Sequence, residues 1–241
     1  MYKRQILHYK ISDKESLSFD FLKGRLFSRL KRIEHESLIK KAIGKNRAHL
    51  KIFDVTAGSL IDTIILLKLG HEVIACEQSK ILYKLLDDAI LRAKNEYNFF
   101  ENLSFINSDS AKIIDSHSDS DIFYFDPMFK DIKQNAKRSG TLQKIGNVLS
   151  LERLEDTSEQ IFNQMLKKKY KKIIVKRPIK SNPLYEKINY QVKGKAIRYD
   201  VYIKTYLWCP ISEATRYSRR NAILSRARLP IPPMGQVANC S

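Results

Sequence analysis

The residues of this chain best suited to chemistry are acids that follow short apolar runs. Asp54-Val55-Thr56-Ala57-Gly58 closes the first such run, with Asp62 just beyond it. Glu77 closes the second, 23 residues after Asp54, Asp109 follows the third, and Asp126-Pro127-Met128-Phe129 ends the fourth. Carboxylates there can accept hydrogen bonds from ribose hydroxyls or from an amine, and Gly58 allows a tight turn and a close backbone approach to a ligand. An acid in such a place also serves as an ordinary helix cap or turn residue, so each alone is ambiguous. Recurrence after successive apolar runs is the informative part.

The elements that would position these acids alternate. Residues 50–55, 72–77, 103–106, 121–125 and 172–176 read as strands. Residues 59–69 and 80–94 carry apolar side chains at helical spacing, and a further helical stretch is expected over about 151–169. This pitch predicts βαβ units, hence an α/β fold with a doubly wound, mostly parallel sheet and helices on both faces. Residues 190–192 and 196–203, with Gly194 between them, predict a closing antiparallel hairpin. Ligands of such sheets bind outside the carboxyl ends of the strands, which is where all four acids fall.

Composition narrows the partners. The 241 residues suffice for one large domain, and 43% hydrophobic content suffices for its core. The net charge is +18, from 44 Lys+Arg against 26 Asp+Glu. Residues 1–50 carry +8, 51–164 carry −5, 165–205 carry +11 and 206–241 carry +4. An acidic centre between two basic flanks points to a polyanion, bound by salt-sensitive phosphate contacts. Lys176 and Arg177, with Lys167, Lys168, Lys169, Lys171 and Lys172, are expected to form one rim of an RNA groove. Arg25, Arg29, Lys31 and Arg32 would form the other, although solubilising surface cations are the plainer reading of any one of them. No apolar run nears the ~20 residues of a membrane span. The basic N-terminus has no apolar stretch behind it, as a secretory signal would. Cys76, Cys209 and Cys240 show neither metal spacing nor a disulfide framework. A cytoplasmic, reduced, metal-free protein is expected.

The turn after the first strand lacks the glycines that cradle a pyrophosphate, and Asp54 beside it disfavours an anion. A nucleoside cofactor carrying a cation fits better, and S-adenosylmethionine has ribose, adenine, a sulfonium and an ammonium. Asp54, Thr56, Gly58, Asp62, Glu77, Asp109 and Asp126 are its expected contacts, Glu77 gripping ribose and Asp109 the adenine amine.

These motifs, with Leu86-Asp87-Asp88, Val175-Lys176-Arg177-Pro178 and Arg198-Tyr199-Asp200-Val201-Tyr202, occur in the order seen in ribosomal RNA small subunit methyltransferase J. The chain resembles that family over about residues 15–204. It departs where the family has Leu-Gly-Arg after its motif glycine, here Ser59-Leu60-Ile61. The resemblance implies a class I S-adenosylmethionine-dependent methyltransferase acting on the exocyclic amine of a guanine in 16S ribosomal RNA. Asp126 and the carbonyl near Pro127 would accept the amine's hydrogens and aim its lone pair, while Phe129 would stack on the extruded base. Two rivals stand: an adenine methyltransferase, because Asp-Pro-x-Phe resembles its Asp-Pro-Pro-Tyr motif, and an inactive RNA-binding or ribosome-assembly protein of the same fold.

Three regions are expected: a basic extension over 1–48 packed on the core, the methyltransferase domain over 49–204, and an atypical tail over 205–241. The tail has no Lys, yet holds four of the seven prolines and the single tryptophan, Trp208. It reads as a frameshifted or read-through segment with little fixed structure.

Overall fold

The computed structural model describes residues 5–44, 49–127, 140–168 and 170–204. A small antiparallel pair, β1 (Tyr9–Lys10) and β2 (Ser16–Leu17), precedes α1 (Gly24–Lys31) and α2 (Ser37–Ile43). Then follow β3 (Lys51–Asp54), α3 (Ile61–Lys68), β4 (Glu72–Glu77), α4 (Lys80–Ala93), β5 (Leu103–Asn107), the short α5 (Ser110–Ile113) and β6 (Ile122–Phe125). The order ends with α6 (Gly140–Leu151), α7 (Ser158–Lys167), β7 (Lys172–Pro178), β8 (Tyr190–Lys193) and β9 (Ile197–Ile203).

Seven strands form one sheet in the order β5-β4-β3-β6-β7-β9-β8. β3 to β7 pair in parallel, and β9 runs antiparallel to both β7 and β8. The strand order reverses between β3 and β6, and a sheet of this kind opens a ligand crevice at that point. Successive side chains enter opposite cores, as strand geometry requires. Ile52, Tyr124 and Ile174 join the cluster under α1 to α4 and α6. Phe53, Phe123 and Val175 join the one under α7. Because both faces are covered, the strands are apolar throughout rather than alternating. Leu17, Phe21, Leu30 and Ile39 belong to the first cluster, so the basic N-terminal residues cover one face of the sheet.

The expected helix over 151–169 is corrected. α6 ends at Leu151, residues 152–157 are irregular with Arg153 at φ +53°, and α7 begins only at Ser158. Glu152 leaves the helix to cap another one. Its Oε1 accepts the N–H groups of Lys80 (3.0 Å) and Ile81 (3.3 Å) at the start of α4, and its Oε2 accepts the Ser79 hydroxyl. Ser79 Oγ in turn accepts the Leu82 N–H at 3.0 Å. Two side chains thus satisfy the orphan donors of one helix N-terminus.

The basic run before and within β7 is also placed differently from expectation. Lys168, Lys171 and Lys172 sit at the amino ends of the strands, where acids or helix carbonyls hold them. Lys51 pairs with Asp119 at 2.7 Å, Lys171 with Asp121 at 2.5 Å, and Lys168 with Asp115. Lys172 donates to the carbonyls of Ala42 (3.1 Å) and Ile43, where a cation suits the C-terminus of α2. These lysines stand at the end of the sheet opposite the four acids and form no rim beside them. Lys169 and the tail over 205–241 lie outside the described residues.

Candidate active site

A cleft of about 650 Å³ opens at the carboxyl ends of β3, β4 and β6. Among the described residues, its lining carries four carboxylates, Glu77, Asp126, Glu155 and Asp156, and no Lys, Arg or His. On a chain of net charge +18, an all-acidic cleft selects for a cation and against a diphosphate.

Two turns shape the cleft. Gly58 takes φ +53°, and its N–H donates to Glu77 Oε2 at 3.0 Å. Glu77 Oε1 accepts the Ser79 N–H at 2.8 Å, so this one carboxylate ties the β3–α3 turn to the β4–α4 turn. Burial pushes the Glu77 carboxyl up to about 7 against the pull of those two N–H groups. Leu60 precedes α3 at φ +59°, a left-handed conformation that glycine adopts without strain. The Leu60 side chain is fully buried.

Asp54 is buried behind this turn, outside the cleft lining. Its carboxylate accepts the Thr63 hydroxyl at 2.5 Å and the Thr56 N–H at 3.1 Å, and burial raises it to about 7. Thr56 Oγ1 accepts the Asp126 N–H at 2.8 Å, which joins the ends of β3 and β6. Asp109 caps α5 by accepting the Ala111 N–H at 3.0 Å.

Asp126 carries the most telling geometry. Its Oδ2 receives Lys176 Nζ at 2.7 Å, and the same ammonium donates to Asp62 Oδ2 at 2.6 Å. Asp62 also accepts the Tyr124 hydroxyl at 2.7 Å. Side-chain exposure rises along this chain of contacts from 10% at Asp62 to 22% at Lys176 and 34% at Asp126. The network is thus anchored inside and ends at an accessible carboxylate. Burial pulls the Lys176 ammonium down, but the two carboxylates outweigh it and hold it above its ordinary range. Burial and the Asp62 charge push the Asp126 carboxyl up, against Lys176, whereas at Asp62 the Lys176 charge overcomes burial and lowers it.

The structure therefore brings Thr56, Gly58, Glu77, Asp126 and Pro127 to the cleft, while Asp54 and Asp62 sit behind it as supports. Phe129 lies outside the described residues. The groove expectation is further corrected at Lys176, Arg177 and Arg29. Lys176 is held by two acids, Arg177 is buried and donates to the Asn182 carbonyl at 2.5 Å, and Arg29 is bound bidentate by Glu36 at 2.7 and 2.8 Å. Arg25 remains exposed on α1. Sequence reasoning missed the pairing of Lys176, although a lysine closing an apolar strand among strand-end acids was a usable signal. It also missed Glu155 and Asp156, which no local pattern marks.

Comparison with known proteins shows the family. Residues 2–204 match the family model SAM_MT, described as "Putative SAM-dependent methyltransferase". The chain is 34% identical over 202 residues to ribosomal RNA small subunit methyltransferase J of Francisella philomiragia, covering 81% of this chain and 82% of that one. The enzyme of the same name from Bdellovibrio bacteriovorus is 29% identical over 204 residues, covering 82% and 78%. Among solved structures, a SAM-dependent methyltransferase from Neisseria gonorrhoeae superposes with a TM-score of 0.59 at 25% identity, covering 79% of this chain and 76% of that chain. An acidic cleft at the switch point of a parallel sheet fits the cationic, phosphate-free cofactor of such enzymes, and the chain belongs to the S-adenosylmethionine-dependent methyltransferases of the ribosomal RNA small subunit methyltransferase J family.

Proposed function

We propose that this enzyme methylates the exocyclic amine of a guanine in 16S ribosomal RNA, in the cytoplasm. The observation that carries the reading is the accessible Asp126 carboxylate at the cleft, fixed by Lys176 from within and followed by a proline. The cofactor, once bound, supplies an electrophilic methyl group on sulfur. In this reading Glu77 would accept its ribose hydroxyls, the backbone of Thr56 and Gly58 would approach it closely, and Glu155 and Asp156, which line the same cleft, would face its positive charge.

An exocyclic guanine amine is a poor nucleophile because its lone pair is delocalised into the ring. Asp126 accepts one of its N–H groups, turning the lone pair toward the methyl, and its negative charge offsets the positive charge that develops on nitrogen. Pro127 presents a carbonyl but no N–H, so nothing there repels the amine's hydrogens. The cofactor would supply the methyl group and keep the bonding pair on its sulfur, and the nitrogen's surplus proton would leave through Asp126 or water.

The names of the relatives support the ribosomal substrate. In Asp126→Ala, methyl transfer to 16S rRNA should be abolished while cofactor affinity by titration stays within a few-fold. Unchanged turnover removes Asp126 from the chemistry. Methylation of guanine-only against adenine-only oligonucleotides separates this reading from an adenine methyltransferase.

A further inference from the structure

Of the cations that the expected groove assigned to β7 and its approach, Lys168, Lys171, Lys172, Lys176 and Arg177 are committed elsewhere, yet others stand uncommitted at the carboxyl ends of the strands. Strand register places them. Pro178 pairs with Ile197 and Lys193 with Arg198, so the β8–β9 turn emerges beside the carboxyl end of β7, the strand that carries Lys176. That turn presents Lys193 and Lys195, and Lys180 follows β7 at the same end. All three are exposed, and none of their side chains has a hydrogen bond or ion pair among the described residues.

Their backbone is firmly held. Gly194 N–H donates to the Ile197 carbonyl at 2.8 Å, and Ile179 N–H to the Ala196 carbonyl at 2.9 Å. A Cβ on Gly194 would lie 2.5 Å from Leu38 Cδ1, so the turn packs closely against the start of α2. On the other side of the crevice, Arg25 of α1 lines a shallow depression of about 150 Å³ with Ser59 and Ile61, directly after the Gly58 turn. Arg25 is likewise exposed and without a partner among the described residues.

We propose that the β8–β9 turn, with Lys180, Lys193 and Lys195, and the Arg25 end of α1 form the two rims that hold the RNA phosphate backbone on either side of Asp126. The inference rests on the RNA substrate reading above and names the surface that reading requires. The division of charge supports it: acids line the cofactor cleft, unpaired cations stand on both sides of the crevice, and Lys51, Lys168 and Lys171 of the far end are neutralised. A held turn also presents its lysines with little backbone ordering left to lose on binding.

The test uses the full chain and transcribed 16S rRNA, with binding measured across a salt series. Lys193→Ala/Lys195→Ala is compared with Lys94→Ala/Lys167→Ala, an exposed pair at the opposite end of the sheet. The first double variant should bind RNA more weakly, with the log–log salt slope reduced by about 0.7 for each phosphate contact removed. Its KM for RNA should rise while kcat at saturating RNA and cofactor affinity hold, and the second should match the parent. Equal losses in the two variants overturn the docking face alone, as diffuse net charge would then account for binding. A flat salt response of the parent chain overturns the RNA substrate reading together with this inference.

Discussion

Glu77 is a carboxylate whose protonation decides what it can hold. Two ribose hydroxyls are donors and need its ionised form, yet burial sets its midpoint near 7 rather than the usual 4.5. Cofactor affinity should therefore tighten from pH 6 to pH 8, with proton release on binding. Titration of Glu77→Gln should show that dependence flattened, and Glu77→Ala should bind about 1–3 kcal/mol more weakly. The ligand-free protein behaves in the opposite sense. With the folded value raised, the folded state binds more protons between pH 4.5 and 7, so stability is lost as pH rises through that window, on the order of 3 kcal/mol at most. Asp54, also raised to about 7, acts in the same direction. At Lys176 the issue is two acids that share one cation. Lys176→Met leaves Asp62 and Asp126 facing each other uncompensated. The acidic limb of the kcat/KM pH profile should then move to higher pH and Tm should fall, since removing one partner of a mostly buried pair costs up to about 3–5 kcal/mol. Lys176→Arg should restore the profile in part, and a profile that does not move would make the pair purely structural.

The elements owe their arrangement to bonds between sequence-distant ends. Glu152 stops α6 and caps α4, and the chain that follows it supplies Leu154, Glu155 and Asp156 to the cleft wall. Glu152→Ala should lower stability by about 0.5–2 kcal/mol, the usual value of a lost cap, and should also weaken cofactor binding because the wall loses its anchor. Chemical denaturation and cofactor titration of the same variant check both, and a stability loss with unchanged affinity would separate cap from wall. Leu60 shows a different balance. Its left-handed backbone costs about 1–2 kcal/mol, while a buried leucine contributes about 2–5 kcal/mol, so the side-chain contribution outweighs the backbone cost.

Across the whole molecule, charge is sorted by place rather than spread. Among the described residues acids line the cleft, Lys51, Lys168 and Lys171 meet Asp119, Asp115 and Asp121 at the far end, and uncommitted cations flank the crevice. The family match ends at residue 204, and the composition changes immediately afterwards. Truncation after Lys204 should leave Tm and methyl transfer intact. Loss of either would make residues 205–241 part of the working enzyme.

Periodicity alone determined the alternation of strands and helices. A strand buried on both faces must be apolar through its interior, as Val73–Cys76 shows within the strand read and found over Glu72–Glu77. The turn chemistry of Gly58 and the strand-end acids likewise placed the cleft, because they are local features of the chain. Pairing across the fold was not legible. Nothing near Lys176 announces that Asp62 and Asp126 converge on it, and nothing near Glu152 announces α4, 72 residues earlier at Lys80. Each of those partners is chosen by strand order and helix packing, and so is the end of the sheet at which a lysine emerges. The sequence by itself thus determined the fold class and the kind of cofactor, whereas only the tertiary structure decided which cations serve the site and which merely balance acids.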